Sequence, residues 1–310
     1  MAGLEKEKNF VSAVVYLKDC EEQIDGFLTA MDRELDRHFE KYEIICVNDA
    51  CRDGTVERVR AFGAACGGVV SVINMSIPQG QELCMNAGVD LAIGDFVFEC
   101  DTVSAGYPPE MFWEAYCKSL SGYDIVAVAP KKNRGRSSGF FYRVFNRFSK
   151  SPYRLQTEVM RVVSRRAINR VRAISPVSPY RKAAYASSGL RLAALSYDAG
   201  AGVNAADRDY RADLAIDSLI LYTNAAYRIS LLVAGLLLAF TVGVALYVLV
   251  IFFGGRHPVA GWTTMMLLTS GGFFGLFVIL AVIIKYLSVL VDLVFKKQKY
   301  LVDSIEKITK

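Results

Sequence analysis

Residues 42–55 read YEIICVNDACRDGT, an apolar stretch that changes abruptly into a polar turn. Tyr42 to Val47 has the composition of a buried strand, and residues 48–55 contain the Asn, Asp, Gly and Thr that favour turns and helix starts. The helix that follows is predicted over residues 56–62. A buried strand, a polar turn and a helix form the repeating unit of an α/β fold.

The same unit recurs on both sides of this stretch. Helices are predicted over residues 20–38 and 80–92, with Ile24, Phe27, Leu28, Met31 and Leu35 on one face of the first. Helical stretches are also predicted at residues 140–148, 157–173 and 216–227. Further strands are predicted at residues 11–17, 69–74, 96–100 and 124–130. Strands that alternate with helices predict a mostly parallel sheet covered on both faces.

Acidic residues follow three of these strands. Asp19, Asp49 and Asp101 each lie just beyond a strand end, where open α/β sheets bind their ligands. An acidic residue after the second strand can hold a ribose or a base, and one after the fourth can hold a diphosphate-bound metal, so these two together predict a nucleotide-sugar site. Asp49 is alternatively the N-cap of the next helix, the role we expect for Asp53.

Four segments between residues 43 and 165 resemble glycosyltransferase family 2. EIICVNDACRDGT resembles the family's VDDGSxDGT segment, and GQELCMNAGVDLAIGD (residues 80–95) resembles GkxxAlNxGlxxAxGD. Asp101 with Tyr107-Pro108-Pro109-Glu110 resembles DADLQxPPE, and MRVVSR (residues 160–165) resembles FRLmxR. Residues 285–302 resemble the C-terminal segment of members with two membrane helices, the polyprenyl-phosphate glycosyltransferases related to dolichyl-phosphate mannose synthase.

The resemblance implies a GT-A domain, which has a Rossmann-like sheet. It also implies transfer of a sugar from a nucleotide diphosphate donor to a polyprenyl phosphate at the cytoplasmic face of a membrane. It places the metal, Mg²⁺ or Mn²⁺, at Asp101, which is expected to be a catalytic residue together with Arg161 and Arg165, and these two arginines are expected to contact phosphate. Donor contacts are expected at Asp19, Asp49, Gly80, Arg134 and Arg136.

Several of these residues also have plainer interpretations. Gly80 suits a turn. Arg134 and Arg136 lie in a Gly/Ser-rich loop that either closes over the site or is merely solvated. Arg161 and Arg165 lie on one helical face or on a strand edge.

The chain departs from the family pattern at the metal motif. The family's Asp-x-Asp reads Asp101-Thr102-Val103 here, so the second carboxylate is missing. Glu99 shares a strand face with Asp101 and either substitutes as a metal ligand or is only solvated. The departure identifies a divergent member, with an unusual donor, catalysis that depends less on a metal, or lost activity.

Two uncharged apolar runs occupy the last third of the chain, residues 229–255 and 259–284. Each has the length of a membrane-spanning helix, and Arg256-His257-Pro258 between them predicts an antiparallel hairpin. Basic flanks (Arg208, Arg211, Arg228, Lys296, Lys297, Lys299) place both ends in the cytoplasm. The predicted organisation is a catalytic domain over residues 1–210, an amphipathic helix over 211–228, a hairpin over 229–295 and a tail over 296–310, in the inner membrane. A buried helical hairpin is the alternative.

The composition adds further limits. The net charge is +5, and basic residues concentrate between Lys131 and Arg191, where they form solvated faces or contact anionic headgroups and phosphates. We expect no nucleic-acid partner because no recognition module is present.

The seven cysteines lack metal-type spacing and are expected to be reduced. Residues 1–9 carry no apolar segment typical of a signal peptide. Glycines 271, 272 and 275 allow homo-oligomeric helix packing, although glycine is common in membrane helices.

Three functions therefore compete. The first is a membrane-anchored glycosyltransferase. The second is a catalytically inactive relative that binds or scaffolds partners. The third, a processive polysaccharide synthase, is disfavoured because the chain lacks a QxxRW segment and further membrane helices.

Overall fold

A computed structural model describes residues 5–103, 106–131, 158–174, 180–198, 261–295 and 300–308, with a few positions between 232 and 243. The chain divides into two compact units. One comprises residues 1–218 together with 298–310, and the other comprises residues 219–297.

An eight-stranded mixed sheet forms the first unit. The strands are β1 (Val11–Leu17), β2 (Tyr42–Asn48), β3 (Val69–Met75), β4 (Phe96–Cys100), β5 (Ile125–Pro130), β6 (Met160–Ser164), β7 (Leu192–Tyr197) and β8 (Val302–Ile308). Their order across the sheet is β7-β5-β6-β4-β1-β2-β3-β8. The four strands β4, β1, β2 and β3 are parallel neighbours, while β6 and β8 run antiparallel to the strands they join. The predicted α/β class and mostly parallel sheet are confirmed.

Helices accompany these strands. They are α1 (Glu21–His38), α2 (Thr55–Ala65), α3 (Gln81–Leu91), α4 (Met111–Leu120), α5 (Arg165–Ile174) and α6 (Arg181–Ser187). The five apolar residues predicted on one face of α1 are all buried. The core is continuous from α1 through β1, β2 and β4 to α4, so the strand ends that carry the acidic residues are held on a rigid support.

Residues 157–173 differ from their predicted helix. Residues 160–164 form β6, which lies between β4 and β5, and the helix begins only at Arg165. The apolar run around Val162 and Val163 is too short for its periodicity to distinguish a strand from a helix. Pairing with two neighbouring strands decides the conformation, and it places Arg161 inside the sheet rather than on a strand edge or a helical face.

Residues 302–308, which the sequence analysis assigned to the tail, form β8 on the edge of the sheet beside β3. Exposed and half-buried residues alternate along this strand. The segment is polar, because it contains Asp303, Ser304, Glu306 and Lys307. It therefore lacks the apolar run that predicts a buried strand. The first unit therefore contains chain from both sides of the apolar runs.

The second unit includes α7 (Trp262–Phe295). A Cβ atom added at Gly275 would lie 2.0 Å from Leu237 Cδ1, so this glycine permits close packing inside the unit, whereas Gly271 and Gly272 have open space around them. Most of the first apolar run and all of residues 211–228 lie outside the described residues. In the described part of the chain, no helix combines the length and the apolar character required to cross a bilayer. The predicted hairpin is therefore not confirmed.

Candidate active site

Asp19, Asp49 and Asp101 follow β1, β2 and β4, three parallel strands that are adjacent in the sheet. They therefore lie along one edge, as predicted. Consecutive residues connect two of them: the Gly80 amide donates to Asp49 Oδ2 at 3.1 Å, and Gln81 Nε2 donates to the Asp101 carbonyl oxygen at 3.0 Å. The start of α3 thus joins the ends of β2 and β4 into one site.

Asp49 holds the loop that precedes α3. Its carboxylate is 2% exposed and accepts hydrogen bonds from the Gln79 amide at 2.6 Å, the Gly80 amide at 3.1 Å and the Tyr16 hydroxyl at 2.8 Å. It does not cap α2, because Gly54 is the N-cap residue of that helix. In this arrangement Asp49 shapes the rim of the site through the backbone of the β3–α3 loop.

Gly80 serves the turn that we considered from the sequence. Its φ of 83° lies in the left-handed region, which favours glycine, and it is the N-cap residue of α3. The N-cap makes no side-chain hydrogen bond to the first turn of α3, so the positive end of this helix lies at the edge that carries Asp49 and Asp101.

Asp101 and Glu99 point to the same side of the sheet, where Arg161 meets them. Glu99 and Arg161 are directly paired between β4 and β6. Arg161 Nη1 donates to Glu99 Oε2 at 2.8 Å, and Nη2 donates to Asp101 Oδ2 at 2.7 Å. Its Nε contacts Glu158 Oε2 at 3.3 Å. The guanidinium, 1% exposed, thus contacts three carboxylates.

Arg181, at the start of α6, approaches the same carboxylates from the helix layer. Its Nη2 donates to Asp101 Oδ1 at 2.8 Å, its Nη1 donates to Glu99 Oε2, and its Nε donates to Glu82 Oε2 at 3.0 Å. Arg161 and Arg181 therefore share Glu99 and Asp101 between them, and each binds one further glutamate. We call Glu99, Asp101, Arg161 and Arg181 the arginine–carboxylate cluster.

Two more side chains border this cluster. The Tyr185 hydroxyl donates to Glu99 Oε1. Lys182 Nζ lies 3.7 Å from Asp101 Oδ2 and donates to the Glu158 carbonyl oxygen at 3.2 Å. Lys182 is 11% exposed, compared with 3% for Arg181, so it is the more accessible cation of α6 beside Asp101.

The opposite charges of the cluster stabilise one another in their ionised forms. Burial alone would raise the pKa of Asp101, but Arg161, Arg181 and Lys182 hold it well below its usual value. Burial alone would lower the pKa of Arg161 and of Arg181, but the surrounding carboxylates raise both above the ordinary value. Burial and the Glu99 charge raise the pKa of Tyr185, which stays protonated. Asp101 is therefore an ionised carboxylate bound between cations.

The resemblance implies a divalent metal at Asp101, and Glu99 was considered as its second ligand, but the residues present fit such an ion poorly. All four carboxylate oxygens of the two side chains accept hydrogen bonds from arginine or tyrosine. A divalent ion about 4 Å from one guanidinium is repelled by roughly 8 kcal/mol at an effective dielectric constant of about 20, and two guanidinium groups lie here. A metal at this position would have to displace at least one arginine.

Another acidic group lies nearby. Asp19, Cys51 and Asp53 have potential ligand atoms within 4.8 Å of one another. Asp19 Oδ1 accepts the Arg52 amide at 2.7 Å, while Asp53 accepts the Glu21 and Thr55 amides at 3.1 and 3.2 Å. These carboxylates hold the β1–α1 and β2–α2 turns together.

Arg165 does not join the site. Its guanidinium donates to the carbonyl oxygens of Ala92 and Gly94 at 2.7–3.0 Å. These residues precede β4, and the neighbouring Ser164 pairs with Phe96 at the beginning of that strand, so Arg165 lies at the opposite end of the sheet from Asp101. Arg134 and Arg136 lie outside the described residues.

Sequence reasoning missed Arg181, Glu82, Glu158 and Tyr185. Arg181 appeared only as one of many cations between Lys131 and Arg191, which we interpreted as solvated or lipid-facing. Arg161 and Arg181 are instead buried and paired inside the protein. Arg172, in the same basic stretch, pairs with Asp90. A single sequence carries no signal that separates buried arginines from exposed ones.

Part of the chain resembles a known protein family in sequence. Residues 12–102 match the model of glycosyltransferase family 2. An uncharacterised glycosyltransferase of Synechocystis is 28% identical over 163 residues, 51% of each chain. An undecaprenyl-phosphate 4-deoxy-4-formamido-L-arabinose transferase of Aeromonas hydrophila is 27% identical over 124 residues, 40% of this chain and 37% of the relative. The chain thus spans about half the length, or less, of these relatives.

Solved structures show the same fold. A mannosyltransferase of Pyrobaculum calidifontis, solved with GDP-Man and Mn²⁺, matches with a TM-score of 0.50 and 15% identity over 94% of this chain and 89% of its own. The glucosyl-3-phosphoglycerate synthase of Mycobacterium tuberculosis, solved with Mn²⁺, UDP and glucosyl-3-phosphoglycerate, matches with a TM-score of 0.51 and 11% identity over 70% of this chain and 80% of its own. Residues 12–102 are thus similar in sequence to glycosyltransferase family 2, and the sheet has the fold of these solved glycosyltransferases, the GT-A fold that the resemblance implied.

Proposed function

We propose that this protein transfers a sugar from a nucleoside diphosphate to a polyprenyl phosphate at the cytoplasmic face of the inner membrane. The observation that carries the proposal is the connection of Asp49 to Asp101 through Gly80 and Gln81. It gathers the ends of β2 and β4 into one edge site within the segment that matches glycosyltransferase family 2.

The donor fits this edge for two reasons. The N-terminus of α3 has no side-chain cap, and backbone amides at a helix N-terminus favour phosphate groups. Asp19, exposed after β1, and the buried Asp49 bracket the place where a ribose or base would lie. Asp49 would act through the loop it holds, because three donors already bind its carboxylate.

The acceptor is proposed from chemistry and from relatives. Two matched relatives are undecaprenyl-phosphate transferases. A polyprenyl phosphate is already anionic at neutral pH, so the enzyme needs no strong general base. Catalysis then consists mainly of holding the acceptor phosphate in line with the sugar and stabilising the leaving diphosphate.

Membrane attachment is proposed from the sequence. The uncharged runs at residues 229–255 and 259–284 have the length of spanning helices, and the basic residues on their flanks favour a cytoplasmic domain. Carbonate extraction of cell membranes tests the attachment. A protein that alkaline carbonate releases completely would contradict a membrane-spanning anchor.

The orientation can be tested with the native thiols. Cys117 on α4 is exposed, while the other six cysteines are buried or half-buried. A membrane-impermeant maleimide should label Cys117 in broken cells and leave it unlabelled in intact spheroplasts. Labelling in intact spheroplasts would place the domain outside the cytoplasm, and Cys117→Ser identifies the labelled site.

Activity is tested with purified protein in detergent, labelled UDP- and GDP-sugars, and undecaprenyl phosphate, with added Mg²⁺, Mn²⁺ or EDTA. We expect a lipid-linked labelled product from the wild type and from Glu57→Gln, an exposed residue of α2. Asp49→Asn should lose most of the product while retaining its melting temperature to within a few degrees. If no donor gives a lipid-linked product, the proposed activity is wrong.

A non-catalytic binding protein is the second candidate. Its support is that every carboxylate oxygen of Glu99 and Asp101 already accepts a hydrogen bond from a side chain of the protein. Calorimetry with UDP and GDP, combined with the transfer assay, separates the two candidates. A binding protein would bind a nucleotide or a lipid without turnover, and a pure scaffold would bind no nucleotide.

A further inference from the structure

The arginine–carboxylate cluster stands where the family resemblance places a divalent ion. Arg161 and Arg181 each direct their two terminal nitrogens at Glu99 and Asp101. Planar guanidinium groups match carboxylates in this forked geometry, and they stay charged at every physiological pH. The positive charge that a metal would bring to these two carboxylates is already present.

The cluster is also a built-in part of the fold. Glu99 comes from β4, Arg161 from β6 and Arg181 from α6, and all three side chains are at most 3% exposed. Glu82 on α3 accepts from both the backbone amide and Nε of Arg181, at 2.9 and 3.0 Å. Withdrawing an arginine to admit a metal would leave Glu82 or Glu158 buried without its ion-pair partner, which is strongly unfavourable.

We propose that the site binds the donor diphosphate without a divalent cation, the Arg161–Arg181 pair having taken the metal's place on Glu99 and Asp101. This inference rests on the proposed use of a nucleotide donor. It concerns the role of the metal. In this inference Asp101 does not bind a metal ion, and its carboxylate instead binds Arg161 and Arg181 and fixes their positions.

Lys182 is the residue assigned to the diphosphate. It follows Arg181 on α6 and lies beside Asp101, but no carboxylate oxygen is within hydrogen-bond distance of its ammonium in the ion pairs of the described residues. An ammonium has three N–H donors, and the Glu158 carbonyl oxygen accepts one of them. Lys182 can therefore turn a donor toward a phosphate while Arg161 and Arg181 keep their carboxylates.

The first measurement needs no activity. Electron paramagnetic resonance of Mn²⁺ titrated into the purified wild-type protein should show no ion bound through Asp101, so the spectrum and the free-ion signal should match those of Asp101→Asn. Bound Mn²⁺ that disappears in Asp101→Asn would overturn the inference whether or not the protein is a glycosyltransferase.

The second measurement is calorimetry with UDP and GDP, in excess EDTA and in millimolar Mn²⁺. Equal affinity in both conditions is expected for whichever nucleotide binds. Lys182→Gln should weaken that affinity roughly tenfold to hundredfold, as expected for the loss of one charge-assisted hydrogen bond. Lys41→Gln, an exposed lysine before β2 at the opposite end of the sheet, should leave the affinity unchanged.

The outcomes distinguish among metal-free binding of the diphosphate, the assignment of Lys182 and the proposed transferase function. Binding that requires Mn²⁺ and is lost in Asp101→Asn would overturn the metal-free site and leave the proposed transferase standing. Metal-independent binding that Lys182→Gln does not change would overturn the assignment of Lys182. If neither nucleotide binds in any condition, the proposed function fails and the inference falls with it.

Discussion

Gln79 and Leu301 form two reciprocal hydrogen bonds across 222 residues of chain. Gln79 Nε2 donates to the Leu301 carbonyl oxygen at 2.6 Å, and the Leu301 amide donates to Gln79 Oε1 at 2.8 Å. The Gln79 amide in turn donates to Asp49 Oδ1 at 2.6 Å. The segment that leads into β8 is thus hydrogen-bonded to the β3–α3 loop, whose backbone amides bind Asp49. The candidate donor site therefore depends on residues from both sides of the apolar runs.

Removing this connection should affect the loop more than the fold. In Gln79→Ala both side-chain bonds to Leu301 are lost at a half-buried position, and each is worth about 1 kcal/mol. We expect nucleotide affinity to fall by several-fold up to about tenfold, with a change in melting temperature of only a few degrees.

Calorimetry and thermal melting of the same samples provide the check. Gln23→Ala, at an exposed position of α1, should change neither quantity. If Gln79→Ala binds nucleotide as tightly as the wild type does, the Gln79–Leu301 connection has no part in shaping the site.

The arginine–carboxylate cluster gives a larger prediction. Arg181→Met removes one cation and leaves Glu82, Glu99 and Asp101 buried with one fewer partner, which costs about 3–5 kcal/mol. For a domain of this size that corresponds to a fall in melting temperature of roughly 10 °C.

The matched control is Arg58→Met. Arg58 is 52% exposed and pairs with Glu21 and Asp25 at the surface, where an ion pair contributes at most about 1 kcal/mol. Similar melting temperatures for the two variants would show that the buried pairs add no more to stability than a surface pair does.

The sequence alone predicted the parallel part of the sheet because apolar strands such as residues 42–47 alternate with amphipathic helices. It also predicted that Asp49 and Asp101 lie at one edge, since parallel strands end together. Both features follow from local patterns in contiguous chain.

The features that escaped prediction depend on contacts between distant residues. β8 is polar, and its strand conformation comes from pairing with β3. Arg161 was expected to face a phosphate, yet its position opposite Glu99 follows from the antiparallel entry of β6 beside β4. Arg181 reaches the same carboxylate from 82 residues further along the chain, and no local pattern encodes such a meeting.

Gly88 tests the helix–sheet packing that supports the site. A Cβ atom at this position of α3 would lie 2.3 Å from Val14 Cγ1 and 2.8 Å from Val47 Cγ2. Gly88→Ala must push α3 away from β1 and β2, at an overpacking cost of about 1–3 kcal/mol. It should also weaken nucleotide binding, because the N-cap residue of α3 is Gly80, at the candidate site.

Gly26→Ala is the control for this substitution. Gly26 lies inside α1, and nothing is within 4 Å of a Cβ added there, so alanine should stabilise the helix by up to about 1 kcal/mol. Melting temperatures that shift in opposite directions are expected. A Gly88→Ala protein as stable as the wild type would contradict the close approach of α3 to the sheet.

Alkaline pH should loosen the attachment of β8 through Tyr300. The Tyr300 hydroxyl donates to Asp90 Oδ2 at 2.9 Å, and burial together with the Asp90 carboxylate raises the pKa of Tyr300 to about 12. An unfolded chain ionises its tyrosines near pH 10. Since the folded state resists this ionisation, the stability that Tyr300 contributes is complete below about pH 10 and is lost as the pH rises toward about 12.

Melting temperatures of the wild type and Tyr300→Phe, compared across this range, isolate the contribution, because the other tyrosines titrate in both proteins. The wild type should be the more stable below about pH 10, and the difference should shrink steadily above it. A difference that stays constant through the alkaline range would mean that the Tyr300 hydroxyl is not bound to Asp90 in the folded protein.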